Sequence, residues 1–554
     1  MGRSDAAVSL VSSDGHTGVR IARWLAVGVP LAFLLIVFIY PLVNILATGF
    51  SGDEGVLAAF SDIFSRPSLR GVAWFTLWQA VASTFLTLVV AMPAAYVFAR
   101  YEFPGRTLLR AAVTIPFVMP SLVVGSAFLA LLGPNGAMGF DLSSSIWAIL
   151  LAHVFYNYAV VVRTVGGLWS HLDPRLEEAA RMLGAGRWKT FWTVTLPLLR
   201  PAIAAAASII FLFTFTSFGV ILVLGNLQYR TIEIEIWRQT VSFLNLPVAA
   251  ALSLLQLVAV SLILLAYSRY QERRAVEQTL APAATTARRP HGYREWTTVA
   301  AILTSTALLL GAPLVLLVER SLRFTGDWTL SGYRSLGRSD SSLFVPATEA
   351  IGNSLGFALI TMAIALLVGV LAASVVAYRR GPVARGFDLL LMLPLGTSAV
   401  TIGFGFLVAF DAPIDIRTSP FLIPLAHSLI AIPFVVRTIV PVMRAVRSRL
   451  REAARVLGAT SLRAWREVDL PLITRAGLVA AGFAFAISLG EFGATAFLVR
   501  PDRPTLPIAI FRLLGRPGEL NFGRAMALST ILMVLTAISI MTIERFRVGE
   551  TGEF

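Results

Sequence analysis

Cysteine is absent from the 554 residues, and lysine occurs once, at position 189. Without cysteine there are no disulfides and no thiolate metal sites. A phosphate-cradling loop needs Gly, four residues, then Gly-Lys-Ser/Thr. Lys189 follows Trp188, so no such loop exists and the chain is not itself an ATPase of that class. Histidine is nearly as scarce: five residues, scattered, in no metal-ligand spacing. No metal site, no cofactor and no nucleophile-and-base motif is read, and hence no catalytic residue. Charge is also thin. Charged residues make up 14% of the chain, against roughly 25% in soluble proteins.

Apolar residues fill the space. They make up 56% of the chain, with a mean hydropathy of +0.77, which identifies a polytopic membrane protein. The net charge of +15 is read as basic cytoplasmic loops facing lipid headgroups, not as a nucleic-acid surface.

The chain is duplicated. Glu178-Ala-Ala-Arg-Met-Leu-Gly184 returns in the second half as Glu452-Ala-Ala-Arg-Val-Leu-Gly458, and Leu196-Pro197 returns at the same displacement as Leu470-Pro471. That displacement also pairs Leu151-Ala-His153 with Leu425-Ala-His427, Val162-Arg-Thr164 with Val436-Arg-Thr438, and Phe218-Gly219 with Phe492-Gly493. Upstream it lengthens slightly, pairing Pro116 with Pro394 and Gly125 with Gly403. Self-similarity over such lengths is two copies of one unit.

A spanning helix needs about 20 apolar residues. Twelve spans are expected, at 25–47, 72–99, 111–133, 145–167, 201–224, 247–268, 297–318, 351–377, 388–410, 421–443, 476–499 and 525–543. The fold class is therefore all-α, with two parallel six-helix repeats related by an axis along the membrane normal. The first apolar run is too long for a signal-peptide core of roughly 7–15 residues. With the N-terminus inside, 30 of the 46 Lys/Arg lie in cytoplasmic segments and 14 in outer loops, Arg163 and Arg437 remaining in spans. This asymmetry places both termini and both Glu-Ala-Ala loops in the cytoplasm. The expected domains are a tail 1–24, a first six-span domain 25–268, a linker 269–296, a second six-span domain 297–543 and a tail 544–554. The linker run Ala281-Pro-Ala-Ala-Thr-Thr-Ala-Arg-Arg-Pro290 should be flexible.

Asp173-Pro174 opens the first loop as an N-cap followed by proline at the first helical position. Glu177 and Glu178 occupy the first turn, where the helix dipole favours carboxylates. Leu176, Ala179/Ala180 and Leu183 make one small-residue face, and Gly184 is a C-terminal stop. Leu450, Ala453/Ala454, Leu457 and Gly458 repeat this. Spacing alone leaves two readings open: a surface helix lying on its own bundle, or a close-approach face for another protein.

The pattern Glu-Ala-Ala, three residues, Gly, nine residues, aliphatic, one residue, Leu-Pro occurs twice, ending at Val194-x-Leu196-Pro197 and Val468-x-Leu470-Pro471. It resembles the signature loop of ATP-binding-cassette importer permeases. The resemblance covers essentially both halves, but neither the N-terminal tail nor the linker. It implies that Glu178, Ala179, Ala180, Gly184, Glu452, Ala453, Ala454 and Gly458 form coupling helices docking two copies of an ATPase subunit that holds ATP and magnesium. It also implies an extracytoplasmic solute-binding protein as partner, a bacterial cell membrane location in contact with lipid, and the type I importer permease fold. Two domains in one chain, with the segments Leu150–Asn157, Thr231–Trp237, Ser488–Gly493 and Thr505–Pro507, are similar to fused permeases of the thiamine and ferric-iron importers, the thiamine members being slightly closer. A twelve-span secondary transporter is the alternative from span count alone. It has no need of a duplicated ATPase dock.

Polar residues inside spans are costly and read as functional by default. His153 and His427 occupy equivalent mid-helix positions and either bond between helices or meet substrate. Arg163 and Arg437 lie near cytoplasmic ends, where snorkelling or loop anchoring suits them. Glu491 replaces Ser217 of the first repeat; it either lines a path for a cation or pairs with an arginine. Asn157, Tyr156 and Tyr158 form a polar-aromatic cluster with the same two readings. The expected path residues are thus Glu491, Ser217, Asn157, Tyr156, His153 and His427.

Overall fold

A computed structural model of the chain describes residues 24–134 apart from 51–60 and 62, residues 139–274 apart from 140, 226 and 227, and residues 286–547 apart from 325, 339–342, 379–380, 412–414 and 446–447. The described residues are overwhelmingly helical. The strand pairing is one two-residue hairpin, Arg323–Phe324 against Asp327–Trp328.

Among the described residues, ten helices are long and apolar enough to cross a membrane: Trp24–Gly49, Pro67–Arg100, Ile146–His171, Arg187–Phe215, Leu246–Gln271, Gly292–Ser321, Ala347–Tyr378, Leu422–Ala445, Ile473–Gly490 and Glu519–Ile543. Two more spans are bent pairs, Arg106–Val118 with Ser121–Leu132 at 102° and Ala384–Gly396 with Ala399–Ala409 at 98°. Counting each pair once gives twelve. The straight spans expected at 111–133 and 388–410 are therefore broken. Hydropathy sums apolar content and is blind to the breakers: Met119-Pro120 ends the first piece in extended backbone, and Gly396-Thr397 ends the second. Proline cannot continue the helical hydrogen bonding.

The fifth and eleventh spans also stop short of their expected ends. Arg187–Phe215 breaks before a short helix, Gly219–Leu224. Ile473–Gly490 breaks before Thr495–Leu498. After each break the chain continues into a further short helix, Ile232–Val241 or Leu506–Leu514, whose side chains are largely buried. Expected as outer loops, these segments are part of the packed interior.

Described residues fall into two compact units. One gathers those up to Ile45, Gly352–Arg500 and those from Ile538 on; the other gathers Leu46–Ile351 and Pro501–Ala537. Each unit carries the same close packing beside its span break. A Cβ on Gly125 would lie 2.9 Å from Val223 Cβ, and a Cβ on Gly403 would lie 2.7 Å from Ala494 Cα. These paired glycines let the second half of the bent span press against the segment after the break.

Of the linker run 281–290, residues 281–285 lie outside the described set. Residues 286–290 do not behave as a flexible tether. Arg288 N–H donates to Arg100 O at 3.0 Å and Glu102 N–H donates to Arg288 O at 3.0 Å. The Arg288 guanidinium lies 5.2 Å from the Tyr101 ring centroid and donates to both Glu295 oxygens, at 2.8 and 2.6 Å. Burial pushes the Tyr101 phenol up to about 12, so it stays neutral beneath the cation. Thr286 is buried and its hydroxyl donates to Ser170 O. Composition gave no sign of these contacts, which depend on one arginine finding both a ring and a carboxylate.

Candidate functional site

The first Glu-Ala-Ala helix is Pro174–Met182. Asp173 caps it, its carboxylate accepting from Arg175 N–H at 2.9 Å, and Pro174 supplies a preset φ where no intrahelical donor is needed. The helix ends in a Schellman motif: Gly184 N–H donates to Arg181 O at 2.9 Å and Ala185 N–H to Ala180 O at 3.1 Å. Gly184 has φ +84°, which an L side chain adopts only with strain. The second helix is Ser448–Val456. Its end repeats the motif, with Ala459 N–H donating to Ala454 O at 2.9 Å and Gly458 at φ +85°. Arg447, which stands where the first loop has Asp173, lies outside the described residues. After each helix comes a π-helical turn, Phe191–Thr195 or Trp465–Asp469, leading into the next span.

The tips of both helices are bare. Met182 and Leu183 are 88% and 90% exposed; Val456 and Leu457 are 87% and 88% exposed. Leu176 and Leu450 are each 50% exposed. Glu178, Ala179, Glu452 and Ala453 are exposed too, while Ala180 and Ala454 are half-buried. Apolar side chains grouped on a polar helix mark a surface built to be covered. The first helix is fixed to its repeat by Glu177. That carboxylate accepts from Arg100 Nη2 at 3.1 Å and from Thr195 Oγ1 at 3.0 Å, and Arg100 Nη1 donates to Leu172 O at 2.9 Å. Position 177 drew attention in the sequence only through the helix dipole. Its partners on two other helices follow from the fold.

Inside the membrane each repeat has a histidine bridge. His153 lies 2.9 Å through Nδ1 from Ser83 Oγ and 2.9 Å through Nε2 from Ser217 Oγ. His427 lies 2.8 Å through Nδ1 from Ser488 Oγ and 2.8 Å through Nε2 from Thr495 Oγ1. His153 therefore ties two spans to the break after the fifth span, and His427 ties two spans to the short helix after the eleventh. Ser217 O also accepts from Thr231 Oγ1 at 3.2 Å.

Glu491 sits at the break after the eleventh span and is 8% exposed. It pairs with His427 Nε2 at 3.0 Å, where the sequence reading weighed an arginine. Its Oε1 accepts from Ala494 N–H at 2.9 Å, and its Oε2 from Thr495 N–H at 3.1 Å and Thr495 Oγ1 at 2.8 Å. A carboxylate meeting the first free N–H groups of a short helix satisfies donors that have no intrahelical partner. Asn157 Nδ2 donates to His153 O at 3.0 Å, and its buried Oδ1 accepts no hydrogen bond among the described residues. Tyr156 packs its ring 6.0 Å from that of Phe117. Arg437 is largely exposed; its Nη2 stands 3.8 Å from an Asp388 oxygen and its Nε 3.2 Å from Met392 Sδ, both on the bent ninth span. Arg163 is exposed as well. Among the described residues no group of three His, Asp or Glu could hold a metal ion.

Comparison with known proteins follows the duplication. The family described as "Binding-protein-dependent transport system inner membrane component" matches residues 88–276 and again residues 365–546. A probable ABC transporter permease from Sinorhizobium fredii is 26% identical, over 96% of this chain and 98% of its own length. The thiamine transport system permease of Brucella abortus is 28% identical, over 86% of this chain and 87% of its own. The sulfate transport system permease of Escherichia coli is 31% identical over 45% of this chain and 92% of its own length.

Proposed function

The chain belongs to the binding-protein-dependent transport inner-membrane components, with that domain present twice, and from this premise we propose that its two Glu-Ala-Ala helices are the docking points for two ATPase subunits that drive solute import. The observation that carries the reading is the pair of exposed tips, Met182-Leu183 and Val456-Leu457, each held out by a glycine at nearly the same positive φ. The small Ala180 and Ala454 beside each tip leave room for a partner's groove to approach. A rigid helix fixed to its span through Glu177 and Arg100 transmits movement of that partner into the membrane helices. The positive-inside asymmetry supports a cytoplasmic position for both helices and both termini. A carrier driven by an ion gradient has no use for such surfaces.

The solute we propose is thiamine or a related cation, handed over by an external binding protein on the opposite face. Support comes from similarity to a thiamine permease through both repeats, whereas the sulfate permease aligns with less than half of the chain. Glu491 lends this no weight, because His427 and two backbone amides already engage its carboxylate. Calorimetry on the partner binding protein against thiamine, thiamine phosphates, ferric iron and sulfate tests the substrate directly. Micromolar or tighter binding of thiamine alone is expected; binding of sulfate or ferric iron alone would refute it.

A further inference from the structure

The helix Ile232–Val241 buries two acids, Glu233 and Glu235, the latter 3% exposed. Buried carboxylates at membrane depth are expensive and need partners. Glu233 accepts from Gln256 Nε2. Glu235 accepts from Arg230 Nη1 at 3.3 Å, Arg238 Nη1 at 3.1 Å and Gln239 Nε2 at 2.7 Å. Packing does not demand these acids, since the corresponding positions of the second repeat are Pro507 and Ala509. What they accomplish is local. Glu235 gathers two guanidinium groups, and Arg66, at the start of the span Pro67–Arg100, joins them around a cavity of about 170 Å³. Among the described residues that line it, three guanidinium groups stand with one carboxylate, and Arg230 and Arg238 each use one nitrogen on it out of five N–H donors.

Leu69 and Phe243 complete the lining of this cavity with apolar surface. Phe243 lies under Arg238 at 5.2 Å and is 57% exposed. Leu244, the residue without glycine's freedom that nonetheless takes positive φ, +53°, is 78% exposed. From Tyr229 the rings of Phe75 and Trp78 follow at 5.5 and 6.4 Å along the span. Leu77, Val81 and Phe85 turn outward from the same helix. Aromatic rings beside an outward apolar stripe suit a surface turned to lipid, and planar guanidinium forks match phosphate oxygens.

We propose that Arg66, Arg230 and Arg238 form a binding site for the phosphate of an anionic phospholipid, in the leaflet where the second and sixth spans begin. Its acyl chains lie along the Leu77–Phe85 stripe, and Glu235 positions the arginines. A dissolved phosphate ion would need no apolar stripe, and neither would an acidic side chain of a water-borne protein.

Native mass spectrometry on the full chain assembled with its ATPase tests this, with phosphatidylglycerol, phosphatidylethanolamine and inorganic phosphate as probes. Removing both Arg230 and Arg238 would strand Glu235, so Arg66→Gln and Arg238→Lys are the variants, with unchanged melting temperature as the folding control. Wild type should retain phosphatidylglycerol over phosphatidylethanolamine, and Arg66→Gln should weaken that retention about fivefold. Arg238→Lys keeps the charge but loses the planar fork and should weaken it less. Equal retention of the two lipids, or no change in Arg66→Gln, would overturn the site. So would competition by inorganic phosphate without lipid preference, which means a soluble-anion site. Intact lipid retention with loss of binding-protein-stimulated ATP hydrolysis in Arg66→Gln would overturn it in favour of a protein contact.

Discussion

At the first Glu-Ala-Ala helix, Glu177 holds Arg100 and Thr195 at 3.1 and 3.0 Å. At the second, the corresponding positions are Arg451, Tyr378 and Asp469, and Tyr378 Oη donates to Asp469 at 3.4 Å. The acid has moved from the helix to the foot of the next span, and the basic residue from the span to the helix. Outside, nothing comparable has changed. Leu183 and Leu457 are bare to nearly the same degree, and Gly184 and Gly458 share one backbone conformation. The bare tips of the two loops agree, and the polar contacts at their feet do not. Under the proposed docking, one partner surface constrains both tips, while the polar residues at their feet are free to differ so long as they are satisfied.

The membrane interior repeats the lesson. His153 and His427 keep their bridging role, but the partner at one end is Ser217 in the first repeat and Glu491 in the second. The carboxylate brings more than the hydroxyl, because it also receives the amides of Ala494 and Thr495.

The harshest way to break the comparison is at the shared tips. The double variant Gly184→Asp, Gly458→Asp places a charged side chain at φ +84° and +85°, at a backbone cost of up to about 1 kcal/mol at each site because Asp tolerates this region better than most residues, and sets charge on both tips. Transport should fall to background in membrane vesicles, with insertion unchanged by immunoblot. Normal uptake would show that the tips dock nothing. Next come the anchors. Glu177→Gln leaves Arg100, 8% exposed in its side chain, short of a charged partner and should cost about 1–3 kcal/mol of stability. Tyr378→Phe removes the 3.4 Å hydrogen bond to Asp469 and should cost about 0.5–1.5 kcal/mol. Thermal unfolding in detergent ranks the two, and the reverse order would contradict the anchoring described above.

Glu491→Ser installs the first repeat's residue in the second. If the carboxylate positions the short helix Thr495–Leu498, maximal uptake falls severalfold while the KM for solute stays put. A KM that rises for a cationic solute, with maximal rate unchanged, would return Glu491 to the path. The smallest effect is expected from Asn157→Leu, whose Oδ1 makes no bond to lose; uptake and melting temperature should stay close to wild type. A collapse of uptake there, at unchanged stability, would make Asn157 a path residue.

Much of this was legible in the chain. The constant displacement between the two Glu-Ala-Ala stretches located both short helices, and Asp173, Gly184 and Gly458 carried their own turn chemistry. Hydropathy found the spans but not their bends, because apolar sums treat Pro120 and Gly396 as ordinary residues. Ile232–Val241 and Leu506–Leu514 were hidden by length, each being too short to cross, and by Glu233 and Glu235, which read as solvent-facing until Gln256, Arg230 and Arg238 are placed around them. The partner of Glu491 was out of reach for the same reason. His427 belongs to the span before it and meets Glu491 only through helix packing.

The most direct measurement uses the absence of cysteine. Single cysteines introduced at Leu183 and at Leu457 are the chain's only thiols, and a thiol-reactive photocrosslinker there reports the nearest protein in intact membranes. Each variant should yield one permease joined to one ATPase subunit, and the double variant a product with two. A cysteine at Trp328, expected on the outer face, should yield none. Adducts at Trp328 but not at Leu183 or Leu457 would contradict both the docking surface and the orientation on which it rests.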